Sequence, residues 1–181
     1  MTSMDKRFYI LFDTVLGRCG LAWGKRGVLA ASFADENDDK TRARLLRRAQ
    51  GAQEAATPPA GVETAIADIQ ALFQGEPRNF ADAQLDLEDL PEFDCTVYDL
   101  TLKIKPGETK TYGELARSLG DVSLSRRVGQ ALGRNPIPII VPCHRVVGAD
   151  GAMTGFSAPG GTVSKRKLLK IEGALAPDLF D

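Results

Sequence analysis

Apolar residues follow two regimes along this 181-residue chain: short dense runs first, helical spacings afterwards. Phe8–Phe12, Gly20–Gly24 and Val28–Phe33 are apolar runs bounded by glycine or charge, and each reads as a β-strand. Gly24-Lys25-Arg26-Gly27 between the last two has hairpin-turn chemistry. A charged helix is expected around Lys40–Gln50. Paired prolines then make Ala55–Gly61 a loop. Val62, Ala65, Ile66, Ile69, Leu72 and Phe73 share one helical face, and Gly75 supplies the stop. Phe80–Leu87 is expected as a last strand before a boundary near Leu90-Pro91.

Beyond that boundary the spacing turns helical. Phe93, Val97, Leu100 and Ile104 recur at four, three and four residues, and Pro106-Gly107 ends their helix. Thr111-Tyr112-Gly113-Glu114 is a capping-box pattern opening a second helix that stops at Gly120. A third, about Leu124 to Gly133, turns Val128, Ala131 and Leu132 inward. Two short helices across a tight connection read as a helix-turn-helix, a unit that binds DNA in many proteins and merely packs in others. Asn135-Pro136-Ile137-Pro138 leaves the third helix extended, because proline is excluded from helix interiors. Ile139-Ile140-Val141 is a buried run leading into Pro142-Cys143-His144-Arg145. A glycine-rich loop, Gly155–Gly161, precedes a last helix at about Ser164 to Glu172, closed by Gly173.

Composition narrows the class. No apolar run is long enough to span a bilayer, and the N-terminus lacks the basic start and apolar core of a secretory signal. Three separated cysteines, Cys19, Cys95 and Cys143, give neither a disulfide framework nor a CxxC metal pattern, so a reducing cytoplasm is expected. Net charge is −1, but Lys103 to Glu172 carries 12 basic and 5 acidic residues, whereas Asp82 to Asp99 has seven acids and no base. That asymmetry points to an anion-binding face in the second half or, more blandly, to an uneven solvated surface.

Cys143 stands beside the only histidine. On an extended chain the two side chains would face opposite ways, so direct contact does not follow from adjacency. Pro142 and the preceding apolar run restrict the cysteine's backbone. An adjacent imidazole and nearby basic residues are expected to lower the thiol pKa, and the thiolate is the nucleophilic form. From these residues alone, a reactive nucleophile and a structural cysteine both remain open.

Pro142-Cys143-His144-Arg145-Val146 resembles the active-site signature of the O6-alkylguanine-DNA alkyltransferases. The resemblance extends through Gly107–Ala116, Arg126-Arg127-Val128-Gly129, Asn135–Ile139, and Lys165, Leu168-Leu169 and Glu172-Gly173, covering Phe93 to Gly173 closely and the earlier part only in topology. It implies a small N-terminal mixed α/β, RNase H-like domain over residues 1–90. A mainly helical, winged helix-turn-helix-like domain would follow over residues 91–181.

The implied function is DNA repair by direct damage reversal. An alkyl group leaves O6-alkylguanine for Cys143 in a single turnover, with O4-alkylthymine an open alternative substrate. His144 would act as base through a bridging water, with Glu172 orienting the histidine in a hydrogen-bonded relay. Tyr112 would rotate the damaged nucleotide out, and Arg126 would fill the vacated stack. Asn135 would be the hinge, and Val146 and Ser157 would contact the flipped base. Lys165 belongs to the matching closing helix and is assigned to the pocket. Double-stranded DNA bound through the minor groove is the implied partner. No cofactor and no membrane are implied, and a monomer is expected.

Some positions depart from the family pattern. Phe156 stands where tyrosine is common, Ala158-Pro159 lengthens the pocket loop, Tyr98 replaces a tryptophan, and Arg127 replaces a small residue and could reach a phosphate. The structural zinc of some members is not expected, because residues 1–90 hold only Cys19 and no histidine. A non-catalytic lesion binder would lack the acceptor cysteine, which is present. A cysteine hydrolase would need an oxyanion hole and would turn over repeatedly.

Overall fold

The computed structural model describes residues 5–153 and 161–176. Three strands, β1 (Phe8–Thr14), β2 (Gly17–Gly24) and β3 (Gly27–Ser32), form successive antiparallel hairpins. Gly27, at φ 126°, closes the expected turn, where a Cβ would meet the Gln84 carbonyl at 2.3 Å. Helix α1 (Asp38–Leu46) follows, capped by the Asn37 side chain accepting from the Lys40 amide, as the charged pattern anticipated. A two-residue strand β4 (Gln53–Glu54) then joins β1 in parallel, giving the order β3-β2-β1-β4.

The sheet is covered on both faces, which accounts for the continuous burial of β2 from Cys19 to Trp23. Tyr9, Leu11, Ala22 and Leu29 pack with Leu45 of α1. Gly20 is required for that approach, since a Cβ there would lie 2.5 Å from the Leu45 side chain. On the opposite face, Phe12, Leu21, Trp23 and Ala31 meet Val62, Ala65, Ile69 and Phe73 of α2 (Ala60–Phe73), and the same apolar cluster continues into the later helices.

The expected strand at Phe80–Leu87 is not formed. A single bridge joins Leu85 to Val28, flanked by Val28 N–H to Gln84 O and Asp86 N–H to Val28 O, both 2.9 Å. The rest of that segment turns on itself, with the Ala83 amide donating to Phe80 O. Its apolar residues are side-chain anchors rather than members of a ladder.

Helix α3 (Glu92–Leu102) buries Val97 and Tyr98. Strand β5 (Lys110–Thr111) leads into α4 (Tyr112–Ser118), where the capping box is complete: Thr111 Oγ accepts from the Glu114 amide at 3.0 Å, and the Glu114 carboxylate accepts from the Thr111 amide at 2.9 Å. A 3-10 turn at Val122–Leu124 precedes α5 (Ser125–Gly133), which buries Val128, Ala131 and Leu132 as its periodicity required. Strand β6 (Val146–Val147) pairs in parallel with β5, and α6 (Gly161–Ile171) closes the described core by burying Leu168 and Leu169. No helix among the described residues is long and apolar enough to cross a membrane.

Candidate active site

The segment between α5 and β6 is a series of turns, not the extended segment expected after Asn135. Asn135 ties both ends of the apolar run: its Oδ1 accepts from the Ile137 amide and its Nδ2 donates to Val141 O, both at 2.9 Å. Val141 N–H returns to Ile137 O at 2.9 Å. Between them Ile139 sits at φ 75°, the left-handed region, which costs a β-branched residue on the order of 1–3 kcal/mol. Pro138 before it and the burial of its side chain to 1% exposure hold it there. The edge strand β3 also grips this segment, because the Ala31 amide donates to Pro136 O at 3.0 Å.

Pro142, at φ −80° and ψ 64°, then makes an inverse γ-turn in which the Cys143 amide donates to Val141 O at 2.7 Å. Cys143–Arg145 forms one 3-10 turn that carries all three side chains into the interior. Cys143 is 8% exposed, His144 fully buried and Arg145 2% exposed.

His144 Nε2 lies 2.7 Å from Glu172 Oε1 at the end of α6. Arg145 grips the same carboxylate twice, Nε to Oε2 at 3.0 Å and Nη2 to Oε1 at 2.8 Å, and its Nη1 donates to Ile104 O at 2.8 Å. Burial alone would raise the Glu172 pKa, but the hydrogen bonds from His144 and Arg145 and the charge of Arg145 outweigh it and hold the carboxyl at about 2. Burial pushes the His144 pKa down, so the imidazole is neutral. Beside an ionised Glu172, Nε2 must carry the proton. Nδ1 is therefore a bare acceptor, and it is buried without a hydrogen-bond partner among the described residues. A neutral histidine with one nitrogen oriented and the other vacant can accept a proton beside Cys143.

The thiol departs from expectation. Burial pushes the Cys143 pKa above its ordinary value, while Asn135 and the charge of Lys165 draw it partly back. The neighbouring imidazole is neutral and supplies no positive charge, so desolvation wins. Lys165 is itself fully buried; its Nζ donates to Val146 O at 2.5 Å and lies 5.8 Å from the Tyr112 ring centroid, with burial lowering its pKa. Cys143, His144, Glu172, Asn135, Val146, Lys165 and Tyr112 are thus brought into one neighbourhood by α4, β6 and α6. Arg126 stands exposed in the first turn of α5. Arg127 lays its guanidinium 4.0 Å over the Phe93 ring, so its nearest partner is the protein's own helix α3. Phe156, Ser157, Ala158 and Pro159 lie outside the described residues.

The sequence reading missed the role of Arg145, although the residue stood within the quoted signature. Its signal was a charged residue inside an otherwise apolar stretch, Ile139 to Val147. Tyr98 was expected as a core replacement and is fully buried. Its hydroxyl donates to Ala131 O at 2.7 Å, fastening α3 to α5. Arg134 adds a two-pronged pair to buried Asp94 across the same two helices, at 2.9 and 3.1 Å. No group of His, Cys, Asp and Glu suited to a metal ion occurs among the described residues.

Residues 92–174 match the family model of the 6-O-methylguanine DNA methyltransferase DNA-binding domain. A methylated-DNA–protein-cysteine methyltransferase of Methanosarcina acetivorans is 36% identical over 173 residues, 92% of this chain and 99% of that protein. The Mycobacterium tuberculosis protein of that name is 44% identical over 126 residues, covering 68% and 74%. Among solved structures, Mycobacterium tuberculosis OGT in complex with DNA superposes with a TM-score of 0.75 at 34% identity, covering 96% and 99%. An O6-methylguanine-DNA methyltransferase from Pyrococcus kodakaraensis gives 0.67 at 28%, covering 92% and 99%.

Proposed function

The chain belongs to the O6-methylguanine-DNA methyltransferase family, and from that premise we propose that Cys143 is its alkyl acceptor. The protein is a methylated-DNA–protein-cysteine methyltransferase that repairs DNA by direct reversal, moving the alkyl group from the base to cysteine. The observation that carries the residue assignment is the buried array behind Cys143. Arg145 keeps Glu172 ionised, Glu172 fixes the His144 tautomer, and the vacant Nδ1 is left to receive the thiol proton.

In that reading a water passes the Cys143 proton to Nδ1. The sulfur pair then attacks the alkyl carbon, the carbon–oxygen bond breaks, and its electron pair leaves on guanine O6, to be neutralised by protonation. The thioether cannot be reversed by the same groups, so each molecule repairs one lesion. Cys143 need not be thiolate at rest, since deprotonation accompanies binding in a closed site.

DNA would lie across α4 and α5 as a winged helix-turn-helix, with double-stranded DNA entered from the minor groove. Tyr112 would turn the nucleotide out and Arg126 take its place in the stack. Arg127 would act by bracing α5 on Phe93 rather than on a phosphate. Asn135 would serve as hinge. Val146, Lys165, Phe156 and Ser157 would shape the base pocket, with Ala158-Pro159 setting its size. Residues 1–90, proposed as RNase H-like, would be a scaffold for residues 91–181. The protein would work as a cytoplasmic monomer.

Mass spectrometry after incubation with duplex DNA containing O6-methylguanine tests the core of this. One methyl group on the Cys143 peptide is expected, and Cys143→Ala should abolish it while leaving DNA binding intact. Full consumption of substrate beside an unmodified Cys143 peptide would overturn the assignment.

A further inference from the structure

A cleft of about 670 Å³ lies between the sheet and the active-site segment, in the size range of small-ligand sites. Five guanidinium groups line it, from Arg7, Arg44, Arg47, Arg48 and Arg134, against one lining carboxylate, Asp89. Three of the arginines are partly engaged: Arg44 with Asp35, Arg48 with Asp89, and Arg134 with Asp94. Two positive charges remain after those three carboxylates are counted. Arg47 is exposed and makes no hydrogen bond or ion pair among the described residues. Arg48 adds a second signal, since its Nε is buried without a hydrogen-bond partner among the described residues.

Such a grouping is costly without an occupant. Like charges are crowded beside the end of α1, and a buried N–H donor is left unsatisfied. Guanidinium groups match phosphate oxygens in forked pairs better than any other side chain does. We propose that this cleft is a phosphate-binding site, sized for a few linked phosphates and separate from the α4–α5 surface. Asn135 and Cys143 form part of its wall, so an occupant would sit against the segment that carries the acceptor. The source of the phosphates is either a nucleic-acid backbone or a free phosphate compound, and the chemistry of recognition is the same for both. The proposal does not depend on alkyl transfer and is tested without it.

Calorimetric titration of the unalkylated protein with sodium tripolyphosphate should show saturable binding. Arg47→Glu should weaken it by about tenfold or more, the loss of one charge-assisted contact plus repulsion, while Arg47→Lys should keep most of it. Arg117→Glu makes the same charge change on the exposed face of α4 and should leave binding as it was. Competition by a short undamaged single-stranded oligonucleotide would identify the nucleic-acid backbone as the source. Saturable tripolyphosphate binding without such competition would identify a free phosphate compound. Absence of saturable binding at millimolar tripolyphosphate overturns the proposal, as does equal weakening by Arg47→Glu and Arg117→Glu. Circular dichroism of each variant establishes that the fold is retained; Arg47 makes no pair whose loss would unfold it.

Discussion

Two groups of ion pairs in this protein use the same chemistry and do different things. On the surface, Arg18 meets Asp38 at 2.9 Å with both side chains about half exposed. Inside, Arg145 meets Glu172 at 2.8 Å with both side chains at 2% exposure or less. Water screens the first pair and competes for its groups, so its net worth is small. The second pair has no competing water, so neither charge can be removed without stranding the other. Its value lies in what it fixes: an ionised carboxylate, hence one histidine tautomer and one vacant nitrogen.

The largest break in that contrast is Arg145→Met. It leaves Glu172 charged and half-partnered in the interior, and should cost about 3–5 kcal/mol of unfolding free energy, read from urea denaturation. A loss under about 1 kcal/mol would mean that water reaches the carboxylate. The same pairing governs acid sensitivity. Because the Glu172 pKa is depressed to about 2, its stabilising contribution is present above the ordinary carboxylate range and fades as pH falls towards that value. His144, also depressed, adds a loss of stability as pH drops below roughly 6.5, where the unfolded chain takes the proton that the buried ring refuses.

The next effect concerns rate. With burial keeping Cys143 a thiol at rest and His144 neutral, the proton moves within the site, so transfer should stay level with pH above roughly 6.5 and fall only in acid, where His144 takes a proton from solvent. A rise of about tenfold per pH unit above neutrality would mean that the reactive thiolate forms by losing its proton to solvent, and the relay through His144 would fail. A smaller change is Tyr98→Phe, which removes one buried hydroxyl bond to Ala131 O and should cost about 1 kcal/mol in the same denaturation assay. Smallest of all is Arg18→Ala, whose denaturation midpoint should stay within measurement scatter. A clear shift there would erase the distinction between the two groups of pairs.

Much of this was legible in the sequence, for identifiable reasons. The strands β1 to β3, the capped α4 and the apolar faces of α2 and α5 follow from periodicity and end signals that act within one element. Strand β4 and the failed strand at Phe80–Leu87 do not, since a two-residue ladder or a single bridge is decided by what stands opposite. In the site, Cys143 and His144 were visible as neighbours, but Glu172 came only through family resemblance, being 28 residues from His144. Arg145 was hidden by the ordinary preference of arginine for the surface. The direction of the Cys143 pKa was misjudged because burial, which local sequence does not report, outweighs the neighbouring cations.

The bond from the Ala31 amide to Pro136 has a practical consequence for observing the site at work. That proton lies on the open side of the edge strand β3, so no other strand protects it from solvent. It can exchange with deuterium only when the segment carrying Asn135 and Cys143 lifts off the sheet. One backbone amide in the first half of the chain therefore serves as a clock for excursions of the second half, readable without substrate, label or mutation.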